Sequence, residues 1–202
     1  MNEAAAGTRE RILTATGTLL RRQGYAATGL QEIAGQSGAR IGSIYHFFAG
    51  KEALADESIR TSGAAYGAMV LGLLRNGPTD PADALRAVFT QAAADLAAAD
   101  SADACPIATV ALEVASTNET LRQATADVFT AWTDGLTSWC GEAVDDPDDA
   151  HDLAIAILAT LEGAFILARA QRSPEPLLAA GRSISRLADS MRAGTPTRST
   201  RL

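Results

Sequence analysis

Apolar residues recur every three or four positions along nearly the whole chain, and no stretch alternates with the two-residue period of a half-buried strand. From Arg9 to Gln23 the stripe is Ile12, Ala15, Thr16, Leu19 and Leu20, with Thr8 suited to cap its start and Gly24 to stop it. Thr28 is suited to the N-cap of a second helix, of about two turns, carrying Ile33 and Ala34. Ser37-Gly38 then breaks the period, which Ile41, Ile44, Phe47 and Phe48 restore over Arg40 to Phe47. A fourth helix is expected to start near Gly50-Lys51 and to carry Leu54 and Ile59 inward.

The helical period continues beyond residue 60. Tyr66, Met69, Val70, Leu73 and Leu74 form a stripe that ends at Asn76-Gly77-Pro78. Asp80-Pro81 restarts the pattern, with Asp as cap and Pro in the first turn, ahead of Leu85, Val88, Phe89, Ala92 and Leu96. Cys105-Pro106 opens another helix through Ile107, Val110 and Val114, and Ser116-Thr117-Asn118-Glu119 resembles a capping box before Leu121, Val128, Trp132, Leu136 and Trp139. Two helices rich in small and apolar residues close the pattern, at 149–171 and 176–192, and the tail from Gly194 to Leu202 is expected to be disordered. The chain reads as all-α.

Composition agrees: 47% of the 202 residues are hydrophobic, alanine is abundant, and aromatic residues are only 5%. The longest apolar run, Leu153 to Ala168, is shorter than the roughly 20 residues of a membrane span and contains Glu162, so it reads as a buried helix. The N-terminus has no signal-peptide pattern, and Cys105 and Cys140 have no metal or redox spacing, which fits the cytoplasm. A net charge of −7 argues against nucleic-acid binding by the surface as a whole. Residues 1–60, however, hold seven Arg and Lys against six Asp and Glu, while residues 61–202 hold ten against eighteen, so any DNA contact belongs to the first third.

Two short helices about a glycine turn are what a helix-turn-helix requires, with an apolar lock and an outward polar face on the second helix. Ile33, Ala34, Ile44 and Phe48 supply the lock, Ser37-Gly38 the turn, and Arg40, Ser43, Tyr45 and His46 the polar face. The period alone fits an ordinary surface helix pair equally well.

Gly24-Tyr25, Thr28, Ile33-Ala34, Gly38, Gly42-Ser43, Tyr45-His46-Phe47-Phe48 and Lys51-Glu52-Ala53-Leu54 together resemble the DNA-binding region of TetR-type transcriptional regulators. The resemblance implies an N-terminal three-helix helix-turn-helix domain, here 1–50, and a C-terminal helical ligand-binding and dimerisation domain, here 51–193. It also implies a homodimer that binds operator DNA, with the helices near 149–171 and 176–192 as its interface, and repression relieved by a small molecule. Carried over by position, Thr28 and Gly29 open the second helix where phosphate binds, Gly42, Ser43, Tyr45 and His46 face bases and backbone, and Lys51 anchors a phosphate. Arg40-Ile41 stands where the family commonly has Ser-Lys, which removes a hydroxyl cap and leaves Arg40 to hold a phosphate or read a base. Ala49-Gly50 replaces the usual Pro-Ser, so a less rigid start to the fourth helix is expected.

Cys105 to Glu113 resembles the LmrA/YxaF-type subgroup, whose members respond to drug-like or aromatic compounds. Trp132 and Trp139 lie seven residues apart on one helix face, a pattern that fits core packing or one wall of an effector pocket. The pocket reading takes Phe89, Leu112, Trp132, Trp139 and Phe165 as walls, with Thr109, Glu113 or Glu162 as polar fixtures. An enzyme would need a convergent nucleophile or acid–base cluster. Cys105 has no histidine near it in sequence, and the chain has only His46 and His151, so no catalysis and no cofactor are expected. The acidic run Asp145 to Asp152 lacks the glycine and distal glutamate of a calcium loop and reads as a helix start rather than a metal site.

Overall fold

A computed structural model describes residues 3–99 and 105–193, with side chains from 7–99 and 105–192, so the tail expected to be disordered lies outside the described residues. Among the described residues every regular element is an α-helix. In chain order they are α1 (Glu3–Ala27), α2 (Leu30–Ser37), α3 (Ile41–Phe47), α4 (Lys51–Asn76), α5 (Pro81–Ala98), α6 (Ala108–Val114), α7 (Glu119–Cys140), α8 (Pro147–Gln171) and α9 (Glu175–Ala193).

The chain packs as two compact units. One comprises the described residues up to Tyr66 with those from 105 to Thr130, and the other comprises Gly67 to 99 with Ala131 to 193. In the first, Ile12, Leu19, Ile33, Ala34, Ile44, Phe48 and Leu54 form a core against which Leu30, Ala39 and Phe47 pack. α1 lies against α2, α3 and α6. In the second, α9 packs along both α5 and α8. Gly181 on α9 lets α5 approach so closely that a Cβ there would lie 2.7 Å from the Cβ of Phe89. The Ser185 hydroxyl, also on α9, lies 2.7 Å from the carbonyl oxygens of both Ala82 and Gly181.

Helix starts follow local chemistry, with instructive exceptions. Asp80 caps α5, accepting from the amides of Ala82 and Asp83 at 3.0 and 3.1 Å, with Pro81 in the first turn. Asp146 does the same for α8, accepting from Asp148 and Asp149, so part of the acidic run is a cap. The capping box expected at Ser116 does not set the start of α7. Asn118 does, its Oδ1 accepting from the Leu121 amide at 2.9 Å. α6 begins at Ala108 rather than at Cys105-Pro106, where Cys105 Sγ instead accepts from the Ile107 amide.

By length and composition α8 is apolar enough to cross a membrane, with mean hydropathy 1.8. It is nevertheless two-sided rather than wholly buried. Leu153, Ala154, Ile157, Leu161 and Phe165 are buried, whereas Ile155, Ile166 and Leu167 are exposed.

Candidate nucleic-acid interface

Gly38 ends α2 in the left-handed region, at φ 66°, which suits a residue without a Cβ, and the chain turns there into α3. Arg40 occupies the N-cap of α3 in extended conformation, with no side-chain capping bond, as expected where a hydroxyl residue is missing. One side of α3 is fixed by Ile44, fully buried in the core of the first unit, and by Phe48, whose amide closes the helix on the Ile44 carbonyl at 2.9 Å. The other side is open. Tyr45 is 61% exposed, Arg40, Gly42 and His46 are exposed, and Ser43 is half-buried. A Cβ at Gly42 would meet nothing, so a partner can approach the backbone there.

α1 and α4 brace this surface. Arg9 forms an ion pair with Glu57 and places its guanidinium 5.2 Å from the centre of the Phe48 ring. Lys51, the first residue of α4, holds its ammonium 4.2 Å from the centre of the Tyr25 ring. Burial first, then the carboxylates of Glu52 and Glu113, hold the Tyr25 hydroxyl above its ordinary pKa.

The entry to α2 differs from expectation. Gly29, not Thr28, is the N-cap, and it makes no side-chain bond. The Thr28 side chain is buried, and its hydroxyl donates to the Gly24 carbonyl at 2.7 Å, so it is not available to cap. Gly24 does break the first helix, as expected: its backbone is non-helical at φ 81°, ψ −178°, and a short further turn carries α1 on to Ala27.

The residues proposed for an effector wall fall into both units. Glu113 accepts from the Tyr25 amide at 2.7 Å and from the Ala26 amide at 2.6 Å, and the Thr109 hydroxyl donates to the Arg21 carbonyl at 3.3 Å. Beside them Leu112 is 76% exposed. In the second unit Phe89, Trp132, Trp139 and Phe165 are buried. Trp132 packs so tightly on Gly67 that a Cβ there would lie 2.6 Å from its indole ring. The pattern of apolar residues did not single out Tyr25 or the partners of Glu113, because those bonds join residues 87 and 88 positions apart.

The profile described as "Bacterial regulatory proteins, tetR family" matches residues 12–57, and that of "Transcriptional regulator LmrA/YxaF-like, C-terminal domain" matches residues 81–183. The chain belongs to the TetR family of transcriptional regulators. An uncharacterized HTH-type transcriptional regulator of Mycobacterium tuberculosis is 34% identical over 85% of this chain and 89% of its own length. The HTH-type transcriptional repressor NemR of Escherichia coli is 26% identical over 84% of this chain and 88% of its own. Among solved structures, the regulatory protein TetR from Rhodobacter sphaeroides superposes with a TM-score of 0.79 over 88% of this chain and 96% of that one, at 22% identity. This TetR-family member is therefore a DNA-binding transcriptional regulator and not an enzyme. Its N-terminal match spans most of α1, all of α2 and α3, which carries the exposed polar face, and the start of α4.

Proposed function

We propose that this TetR-family chain is a cytoplasmic, ligand-responsive repressor that binds a near-palindromic operator as a homodimer and is released by a small, largely apolar effector. The observation that carries the DNA reading is the division of α3 into a buried Ile44 and an exposed Tyr45, with Arg40 and His46 also exposed. A helix locked on one side and uncommitted on the other is what major-groove readout needs. Thr28, Gly29, Arg40, Gly42, Ser43, Tyr45, His46 and Lys51 are the proposed contact residues. Thr28 acts by holding the entry to α2 next to Gly29, since its hydroxyl donates to the Gly24 carbonyl and its amide to the Tyr25 carbonyl at 3.2 Å.

Exposed Ile155, Ile166 and Leu167 on α8 and Leu187 on α9 support these two helices as the dimer face, because each is an apolar side chain that a partner would cover. A two-fold dimer would place its recognition helices about 34–36 Å apart, or a multiple of that, to reach successive half-sites. An effector that binds one arrangement of the C-terminal helices would shift the population between spacings.

A second reading keeps the regulator but gives the C-terminal part only dimerisation or protein contact. The packing of Phe89 on Gly181 and Trp132 on Gly67 favours it, since both aromatics have close neighbours already. Titrating small aromatic compounds against tryptophan fluorescence separates the two: a saturable change supports an effector site in the second unit, with Phe89, Trp132, Trp139 and Phe165 as its walls. The DNA reading is tested by binding to the DNA upstream of the gene across a salt series. Specific binding that weakens with salt, and further with Tyr45→Ala and Lys51→Ala, is expected. Failure to bind there or to select any site from genomic DNA removes it.

A further inference from the structure

Glu113, Tyr25 and Lys51 form a continuous series within the first unit, linking α6 to the start of α4. The two carboxylate oxygens of Glu113 take successive amides, those of Tyr25 and Ala26, at 2.7 and 2.6 Å. Two bonds to neighbouring amides fix the orientation of the peptide between them, and with it the direction in which the Tyr25 side chain leaves the backbone. The residue before them is Gly24, at φ 81° and ψ −178°, the point where the backbone is freest to rotate if unrestrained. Glu113 and Gly24 fit together closely enough that a Cβ on Gly24 would collide with Glu113 Oε2. The ring so placed lies 4.2 Å from Lys51 Nζ, where its negative face attracts the ammonium. Lysine has a long, flexible stem. A surface that holds its head before DNA arrives reduces the ordering that binding must impose.

We propose that Glu113 and Tyr25 are positioning residues for DNA binding: Glu113 pins the turn after Gly24, the turn presents the Tyr25 ring, and the ring holds Lys51 in place for a backbone phosphate. The inference rests on the reading of Lys51 as a phosphate anchor. It makes a prediction of unusual sign. Glu113 is negative, so acting through space alone it repels DNA, and neutralising it would tighten binding. As a positioning residue, its neutralisation weakens binding instead.

The test uses the full-length protein and a duplex selected by the wild-type chain from random-sequence DNA, with affinity measured across a salt series. Lys51→Met is expected to make the slope of log K against log salt shallower by about one per protomer, the signature of one lost phosphate contact. Glu113→Gln and Tyr25→Leu should each weaken binding by about two- to fivefold per protomer, the worth of one exposed cation–π contact, and move the slope in the same direction. In a Lys51→Met background neither should weaken it further, since all three act through one contact. Tyr25→Phe, which keeps the ring, should recover most of what Tyr25→Leu loses. Thermal unfolding of each variant identifies any loss due to misfolding. Should Tyr25→Leu not fold, Glu113→Gln with and without Lys51→Met still decides the matter. Tighter binding by Glu113→Gln, an unchanged slope, or full additivity with Lys51→Met overturns the inference while leaving DNA binding intact. A wild-type chain that selects no duplex overturns the DNA-binding reading and this inference with it.

Discussion

Two helices of seven residues, α3 and α6, begin in the same way and end up with opposite uses. Neither has a side-chain cap at its start, where Arg40 and Ile107 stand. Both are far shorter than the roughly 12–15 residues at which an isolated helix becomes marginally stable, so each depends on tertiary burial. α3 obtains it through Ile44, and α6 through Val110 and Val114. The polar side chains separate them. Those of Tyr45 and His46 on α3 are exposed, whereas Thr109 and Glu113 on α6 are bonded to the backbone of α1. A helix that reads a partner leaves its donors uncommitted, and a helix that braces its neighbour commits them. Residue type alone does not distinguish the two, because Tyr, His, Thr and Glu all suit either role.

The largest effect should come from removing the burial on which α3 depends. Ile44→Ala takes a fully buried side chain from the core of the first unit and is expected to cost about 2–5 kcal/mol, read by thermal or urea unfolding. A cost well under 1 kcal/mol would mean that α3 is not held by this core. Next is Gly24→Ala. The glycine backbone lies in a region that costs other residues about 1–3 kcal/mol, and the new methyl would also push on Glu113. Both reduced stability and weaker DNA binding are expected. Lost stability with unchanged affinity per folded molecule would show that α6 braces the fold without serving the DNA surface.

The helix-turn-helix was legible because its lock repeats at helical period: Ile33, Ala34, Ile44 and Phe48, picked from spacing, all lie in one core. Local chemistry was legible where a side chain has a single nearby use, as with Asp80 and Pro81 at the start of α5. It failed where the same group has two partners in reach. Thr28 caps nothing because the kink at Gly24 offers its hydroxyl a carbonyl first. The aromatic stripe of α7 was visible, but nothing in its spacing says that a glycine at position 67 lies under Trp132. Glu113 was picked as a polar fixture of a pocket. Its bonds to α1 depend on how distant segments pack, which the apolar period does not record.

A pair of substitutions, one exposed and one half-buried, then tests the contrast between the two short helices directly. Tyr45→Ala removes an exposed side chain and should leave stability within about 0.5 kcal/mol of the parent while lowering DNA affinity. Thr109→Val deletes one hydroxyl donor to the Arg21 carbonyl and should cost about 0.5–1.5 kcal/mol of stability. The comparison breaks if Tyr45→Ala destabilises more than Thr109→Val, since α3 would then be committing its polar face to the fold.

The smallest effect concerns a helix start of a third kind, one that does have a side-chain cap. The Arg192 guanidinium, 2.9 Å away, and then the Asp83 amide hold the Asp80 carboxyl below its ordinary pKa of 3.8. A carboxylate whose folded pKa is depressed contributes stability that is complete above the unfolded value and lost as pH falls through the folded one. Asp80→Asn keeps an oxygen for the Ala82 and Asp83 amides but gives up the charge. Its melting temperature should therefore sit slightly below that of the parent near neutral pH, and the gap should close as acid titrates Asp80. The pair is solvent-exposed, so added salt should narrow the gap as well. A gap that does not narrow at all as pH falls below the ordinary carboxylate range would mean that the side chain stabilises α5 by shape and hydrogen bonding alone. The start of α5 would then differ from those of α3 and α6 in having a partner for its amides, and not in its charge.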